Sequence, residues 1–89
     1  MPLFTFFLEY KGGTYISQVR AQSYKSAPKV WAEKLDLSVI SQLESDFQSK
    51  LLKSVDNEIP TPIKGIDKVW CCSLLSLKET LMHFVQTSE

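Results

Sequence analysis

Apolar and polar positions alternate along the first twenty residues. Phe4, Phe6, Leu8 and Tyr10 fall on even positions, with Thr5 and Glu9 between them. After Gly12-Gly13 the stretch from Thr14 to Gln22 again mixes β-branched and aromatic residues with polar ones. A period of two over such residues predicts strands over 3–10 and 14–22. Two glycines between them supply the positive φ angles of a type I′ turn. A Gly12-Gly13 loop sets Tyr10 opposite Tyr15, Leu8 opposite Ser17, Phe6 opposite Val19 and Phe4 opposite Ala21. These residues share the apolar face. Thr5, Glu9, Gln18, Arg20 and Gln22 occupy the other face, with Phe7 and Ile16 among them.

The period then changes. Ala27, Val30, Trp31 and Leu35 are spaced three and four apart, which predicts a helix ending near Asp36. Ser23 or Ser26 can cap it, and Pro28 in the first turn favours Ser26. Ile40, Leu43, Phe47 and Leu51 form a second stripe and predict a helix from Val39 to Lys53. Ser38 is its candidate cap, and Ser41 with Glu44 has capping-box spacing. Residues 54–68 hold Pro60, Pro62 and Gly65 and are expected to form a loop.

Val69 to Leu75 is a short apolar run that fits a strand. For Thr80 to Thr87 two elements compete. Ser76 and Glu79 could cap a helix bearing Leu77, Leu81, Phe84 and Val85, or Lys78-Glu79 could turn the chain into a fourth strand. The β-branched and aromatic residues favour the strand. The expected architecture is α+β: a four-stranded antiparallel sheet in the order ββααββ, two helices on one face, one domain over 1–89.

Composition narrows the function more than it names one. The chain has 89 residues, 44% of them hydrophobic, with five Phe, three Tyr and two Trp, which is ordinary for a globular fold. Ten basic and ten acidic side chains cancel and interleave, which argues against a nucleic-acid partner. No apolar run is long enough to span a bilayer, and the N-terminus lacks the basic start of a signal peptide. The expected compartment is the cytoplasm.

Cys71 and Cys72 are adjacent and are the only cysteines, so neither a disulfide framework nor a Cys-rich zinc site is expected. His83 is the sole histidine. A Cys72–His83 nucleophilic pair would need an orienting acid and an oxyanion site, and no pattern supplies them. The Gly12-Gly13 pair joins strands and opens no helix, unlike a phosphate loop. Trp31 and Trp70 sit on apolar stripes and are expected in the core. No catalytic residue, cofactor or metal is assigned.

The second hairpin is apolar on both sides. A Lys78-Glu79 loop puts Val69, Cys71, Leu75, Met82 and Phe84 on one face, and Trp70, Cys72, Leu74, Leu81 and Val85 on the other. Two helices can cover one face only. Large exposed apolar patches mark interfaces, so Phe7, Ile16, Val69, Leu75, Met82 and Phe84 form the expected interface for a homo-oligomer or another protein. Phe7→Lys or Phe84→Lys is then expected to split a dimer while leaving the fold intact.

The stretch from Phe4 to Leu35 (strand, Gly12-Gly13 turn, strand, then a helix with Ala27 and Trp31) resembles the front half of HicB-type antitoxin domains. It covers about a third of the chain. Ala21-Gln22-Ser23-Tyr24 stands where those domains carry a Pro- and Gly-containing segment, and no DNA-binding appendage follows. The resemblance implies a toxin-binding role and assigns no residue. Over its whole length the chain resembles small bacterial α+β domains. The alternatives are a single-stranded RNA binder using Tyr10, Tyr15 or Tyr24 beside Lys11 and Arg20, and a small-molecule binder with its pocket between the sheet and the Pro60–Pro62 loop.

Overall fold

A computed structural model describes residues 1–40, 45–57, 59–72, 74, 77 and 80–89. Strand β1 (Leu3–Tyr10) turns into β2 (Gly13–Arg20), followed by α1 (Ala27–Lys34), a 3₁₀ turn at Leu37–Val39 and α2 (Phe47–Asn57). Then come β3 (Thr61–Pro62), β4 (Val69–Cys72) and β5 (Thr80–Ser88). All strand pairs are antiparallel, in the order β2-β1-β5-β4-β3. The α+β architecture and the antiparallel sheet are as expected. The count of four strands and the element order ββααββ are corrected: a fifth strand, β3, forms inside the predicted loop.

The first hairpin closes one step earlier than Gly12-Gly13 implies. Tyr10 pairs with Gly13, so the two-residue loop is Lys11-Gly12. Both loop residues have positive φ, 47° and 82°, as a type I′ turn requires. Gly13 meets a different constraint, set by a side chain and not by backbone conformation. A Cβ there would come within 2.7 Å of the Tyr15 hydroxyl, because the Tyr15 ring lies across the bare backbone. The whole ladder shifts by two residues, with Phe4 opposite Val19 and Leu8 opposite Tyr15. A two-residue shift preserves the faces, so the predicted face assignment stands although the partners change. Lysine carries the steric cost of left-handed backbone that asparagine tolerates better. Lys11→Asn is therefore expected to gain about 0.5 kcal/mol, net of the Lys11 ammonium contact with the Tyr10 ring. A urea titration checks this through the unfolding midpoint.

Ser26 occupies the cap position of α1, but its hydroxyl bonds the Ser23 carbonyl (3.2 Å) and leaves the helix N–H groups alone. The Ala27 amide bonds the same carbonyl at 3.0 Å, so the turn at 23–26 leads directly into the helix. After α1 the Asp36 carboxylate accepts from the Ser38 amide and hydroxyl, at 3.0 and 2.6 Å. The hydroxyl bond first, then the amide bond, holds the Asp36 pKa below the usual carboxylate value. The predicted second helix over 39–53 is shifted toward the C-terminus. Val39 ends the 3₁₀ turn and α2 starts at Phe47. Phe47, Leu51 and Val55 form its buried stripe. Leu43, Ser41 and Glu44 lie outside the described residues. The helix continues past Lys53 because Val55 extends the stripe, and it stops short of Pro60, whose preceding residue disfavours helical backbone.

Both helices cover the face bearing Phe4, Phe6, Leu8 and Tyr10. Trp31 stacks on Phe6 with ring centroids 4.9 Å apart and planes 5° from parallel. Tyr10 meets Phe47 edge-on at 4.8 Å. Phe84 stacks on Phe6 at 4.5 Å and on Trp70 at 5.3 Å, joining the two hairpins in one aromatic core. Trp31 and Trp70 are both buried, as expected.

The second hairpin confirms strands at both predicted places but in another register. A Lys78-Glu79 loop would pair Leu75 with Met82; the observed ladder pairs Cys72 with Met82 and Trp70 with Phe84. The difference is three residues. An odd slip exchanges the faces of β5 relative to β4. Met82 and Phe84 therefore join Trp70 and Cys72 under the helices, 2% and 0% exposed. Their assignment to an interface is corrected: they are core residues.

Candidate functional site

The face of the sheet turned away from the helices is built in rows by the four strand registers. The central row crosses every strand: Ile16 on β2 faces Phe7, Phe7 faces His83, His83 faces Cys71, and Cys71 faces Thr61. Beside it runs Gln18, Thr5, Val85 and Val69, and on the other side Thr14, Glu9 and Leu81. Side chains of directly opposed residues touch across strands. Phe7 and His83 show this: their rings stack at 4.9 Å, 8° from parallel.

Polarity is sorted within this array. Thr5 accepts from the Gln18 side-chain amide at 3.0 Å and lies 3.1 Å from the Thr87 hydroxyl, a small network at one end. Glu9 and Thr14 are exposed at the other end. Between them lie Ile16, 62% exposed, and half-buried Phe7; on β5 and β4 the flanking rows are apolar too, with Leu81 66% exposed, Val85 and Val69 half-buried and Cys71 open to solvent. An apolar band thus starts between two polar margins on β2 and β1 and widens across β5 and β4.

Of the predicted interface residues, Phe7, Ile16 and Val69 stand on this face. Leu75 lies outside the described residues. Met82 and Phe84 are on the opposite face, and Leu81, His83, Val85 and Cys71 take their place. Alternation along β5 does not signal this exchange, because the buried phase combines Met82 and Phe84 with Thr80 and the open phase combines Leu81 and Val85 with His83.

The cysteine that neighbours His83 also differs from the one weighed in the sequence. Cys71, not Cys72, sits directly opposite His83, and Cys72 is buried on the helix side. Among the described residues no three His, Cys, Asp or Glu side chains are grouped to hold a metal ion. A cavity of about 460 Å³ opens beside His83, with walls that include Ile63, Leu74, Leu81 and Met82 and a rim reached by Glu9. Ile63 follows Pro62 directly, but neither Pro60 nor Pro62, between which and the sheet the small-molecule alternative expects a pocket, lines this cavity.

The aromatics of the RNA alternative are engaged within the protein. Tyr10 is 2% exposed, and Tyr24 stacks on Trp70 at 4.9 Å with planes 6° apart. The Lys11 ammonium rests over the Tyr10 ring at 5.3 Å. Among the described residues no helix is long and apolar enough to cross a membrane. No protein-family model, curated protein or solved structure matches the chain.

Proposed function

We propose that the chain is a non-enzymatic interaction module whose open sheet face packs against a protein surface, that of a second copy or of another chain. The observation that carries this reading is the band from Ile16 to Cys71. Two large aliphatic side chains stand more than half exposed beside an aromatic–imidazole stack, and the helices all lie on the far side. Polar margins around an apolar centre are the arrangement of a protein interface.

Leu81→Lys tests it without touching the core. The variant is expected to keep the wild-type circular dichroism spectrum and unfolding midpoint, because Leu81 is mostly solvated. A charge at this exposed apolar position should cost about 2 kcal/mol or more, roughly a thirtyfold weaker association, read by light scattering across a concentration series. A wild-type chain that stays monomeric at high micromolar concentration and co-purifies with no protein would sink the proposal.

The cavity beside His83 supports a second reading, a site for a small apolar ligand, since its volume falls within the range of ligand pockets. An environment-sensitive naphthalene sulfonate separates the two readings. Saturable binding of one probe per chain, lost on a bulky Leu74 substitution and retained in Ile16→Lys, would favour the cavity.

A further inference from the structure

The two edges of the sheet differ in kind. At one end β3 is two residues long and contains Pro62, with Pro60 just before it. Short length and proline are how proteins keep an edge from pairing further. At the other end β2 runs for eight residues, Gly13 to Arg20, without proline. No register shift interrupts its ladder with β1. Its one charge, Arg20, is drawn back to donate to the Met1 carbonyl at 2.9 Å. Among the described residues one edge is closed and the other is open.

The hairpin geometry says which backbone groups of β2 are exposed there. Tyr10 and Gly13 flank a two-residue loop, so they form a hydrogen-bonded pair, and the ladder alternates from that point. Gly13, Tyr15, Ser17 and Val19 bond to β1. The Ala21 amide keeps the same phase, bonding the Pro2 carbonyl at 3.2 Å. The N–H and C=O groups of Thr14, Ile16 and Gln18 consequently point away from the sheet. Their side chains all stand on the open face and are exposed.

We propose that β2 pairs antiparallel with the β2 of a second copy, about a two-fold axis at Ile16, to give one continuous ten-stranded sheet. The segment is complementary to itself. With Ile16 opposite Ile16 of the other copy, Thr14 meets Gln18, and six main-chain hydrogen bonds close over Thr14, Ile16 and Gln18. No like charges face each other in this register. The exposed isoleucines are brought side by side, which gives the most solvated side chain of β2's apolar set a neighbour. Both copies keep their helices on the same side, so the two apolar bands become one double-width surface. This contact uses the edge, whereas the function proposed above uses the face, so each can fail alone.

Amide hydrogen exchange on the wild-type chain, from low micromolar to near-millimolar concentration, tests the pairing. The Thr14, Ile16 and Gln18 amides are expected to slow at least about tenfold as dimer forms, because each becomes a ladder donor. Thr14→Pro removes one of these donors and no bond to β1, and leaves the apolar band intact. It should weaken dimerisation at least about tenfold, read by sedimentation equilibrium, while Leu81→Lys should leave edge pairing in place. Fast exchange of the three amides at every concentration overturns the proposal, whether the chain is monomeric or associates through its face. Protection that appears only when a different polypeptide is bound overturns it too, since the occupant is then not a second copy.

Discussion

Phe84→Ala is expected to bring the domain close to unfolding, and Phe84→Lys to abolish its cooperative transition. The Phe84 ring is fully buried, stacked on Phe6 and Trp70 and edge-on to Phe4 at 5.9 Å. Truncating a buried phenylalanine costs about 3–5 kcal/mol through lost transfer energy and the cavity left behind. A chain of this length holds roughly 5–13 kcal/mol of net stability. Lysine adds an unpaired charge to the same cavity, and none of the neighbouring rings can bond it. A urea titration followed by tryptophan fluorescence reads both variants. The outcome also decides the register of the second hairpin. A Phe84→Lys protein that melts with the wild-type midpoint would put the ring back on the open face and overturn the β4–β5 ladder. The contrast with Leu81→Lys, three residues away and expected to be neutral for folding, is what an odd slip means in practice.

The two hairpins show what a pattern of apolar residues can and cannot specify. In the first, one face is apolar and the other mostly polar, so any even shift leaves the core set unchanged. Phe4, Phe6 and Leu8 are therefore legible as core even though the turn is Lys11-Gly12 and each partner changes. In the second, both faces are apolar and alternation carries no sign. The register then depends on the turn, and Lys-Glu has little turn preference to constrain it. Phe7 and Ile16 are readable as open-face residues because their phase is tied to a clear strand. Val69, Met82 and Phe84 are not, because the Lys78-Glu79 loop that would fix their phase puts all three on one face, and the observed ladder separates Val69 from the other two. The strand Thr61–Pro62 has no local signature at all. It exists because β4 offers it a partner, and the Ile63 amide bonds the Val69 carbonyl at 3.1 Å just beyond it. Pro62 fits there because, in the phase set by that bond, its missing N–H faces away from β4. The displaced start of α2 has a similar origin: helical spacing from Ile40 to Phe47 marks residues that share the core, but the 3₁₀ turn held by Asp36 places Ile40 there without a helix through it.

Trp31→Ala is expected to cost about 3–5 kcal/mol, and the cost should divide unequally between packing and hydrogen bonding. The indole is 1% exposed, stacks on Phe6 of β1, and donates from Nε1 to the Ser17 hydroxyl of β2 at 2.9 Å. One side chain thus pins α1 to both strands of the first hairpin. Trp31→Phe keeps most of the stack and loses the donor, so it should cost about 1–2 kcal/mol, much of it from the smaller ring and the Ser17 hydroxyl left unpaired. Adding Ser17→Ala to Trp31→Phe should recover part of that loss, because removing both partners is cheaper than orphaning one. Calorimetric midpoints of the three proteins separate the contributions. If Trp31→Phe alone costs as much as Trp31→Ala, the hydrogen bond holds the helix; if it costs almost nothing, the stack does. The answer bears on the open face as well. When α1 is released, Phe6 and Leu8 become solvated on the side the helices cover, and the sheet then presents two apolar faces. Trp31→Ala should therefore aggregate without a defined stoichiometry as it is warmed, whereas the pairing proposed above gives the wild-type chain a fixed size. A Trp31→Ala protein that forms the same discrete assembly at the wild-type midpoint would mean that α1 does not set which face of the sheet is open.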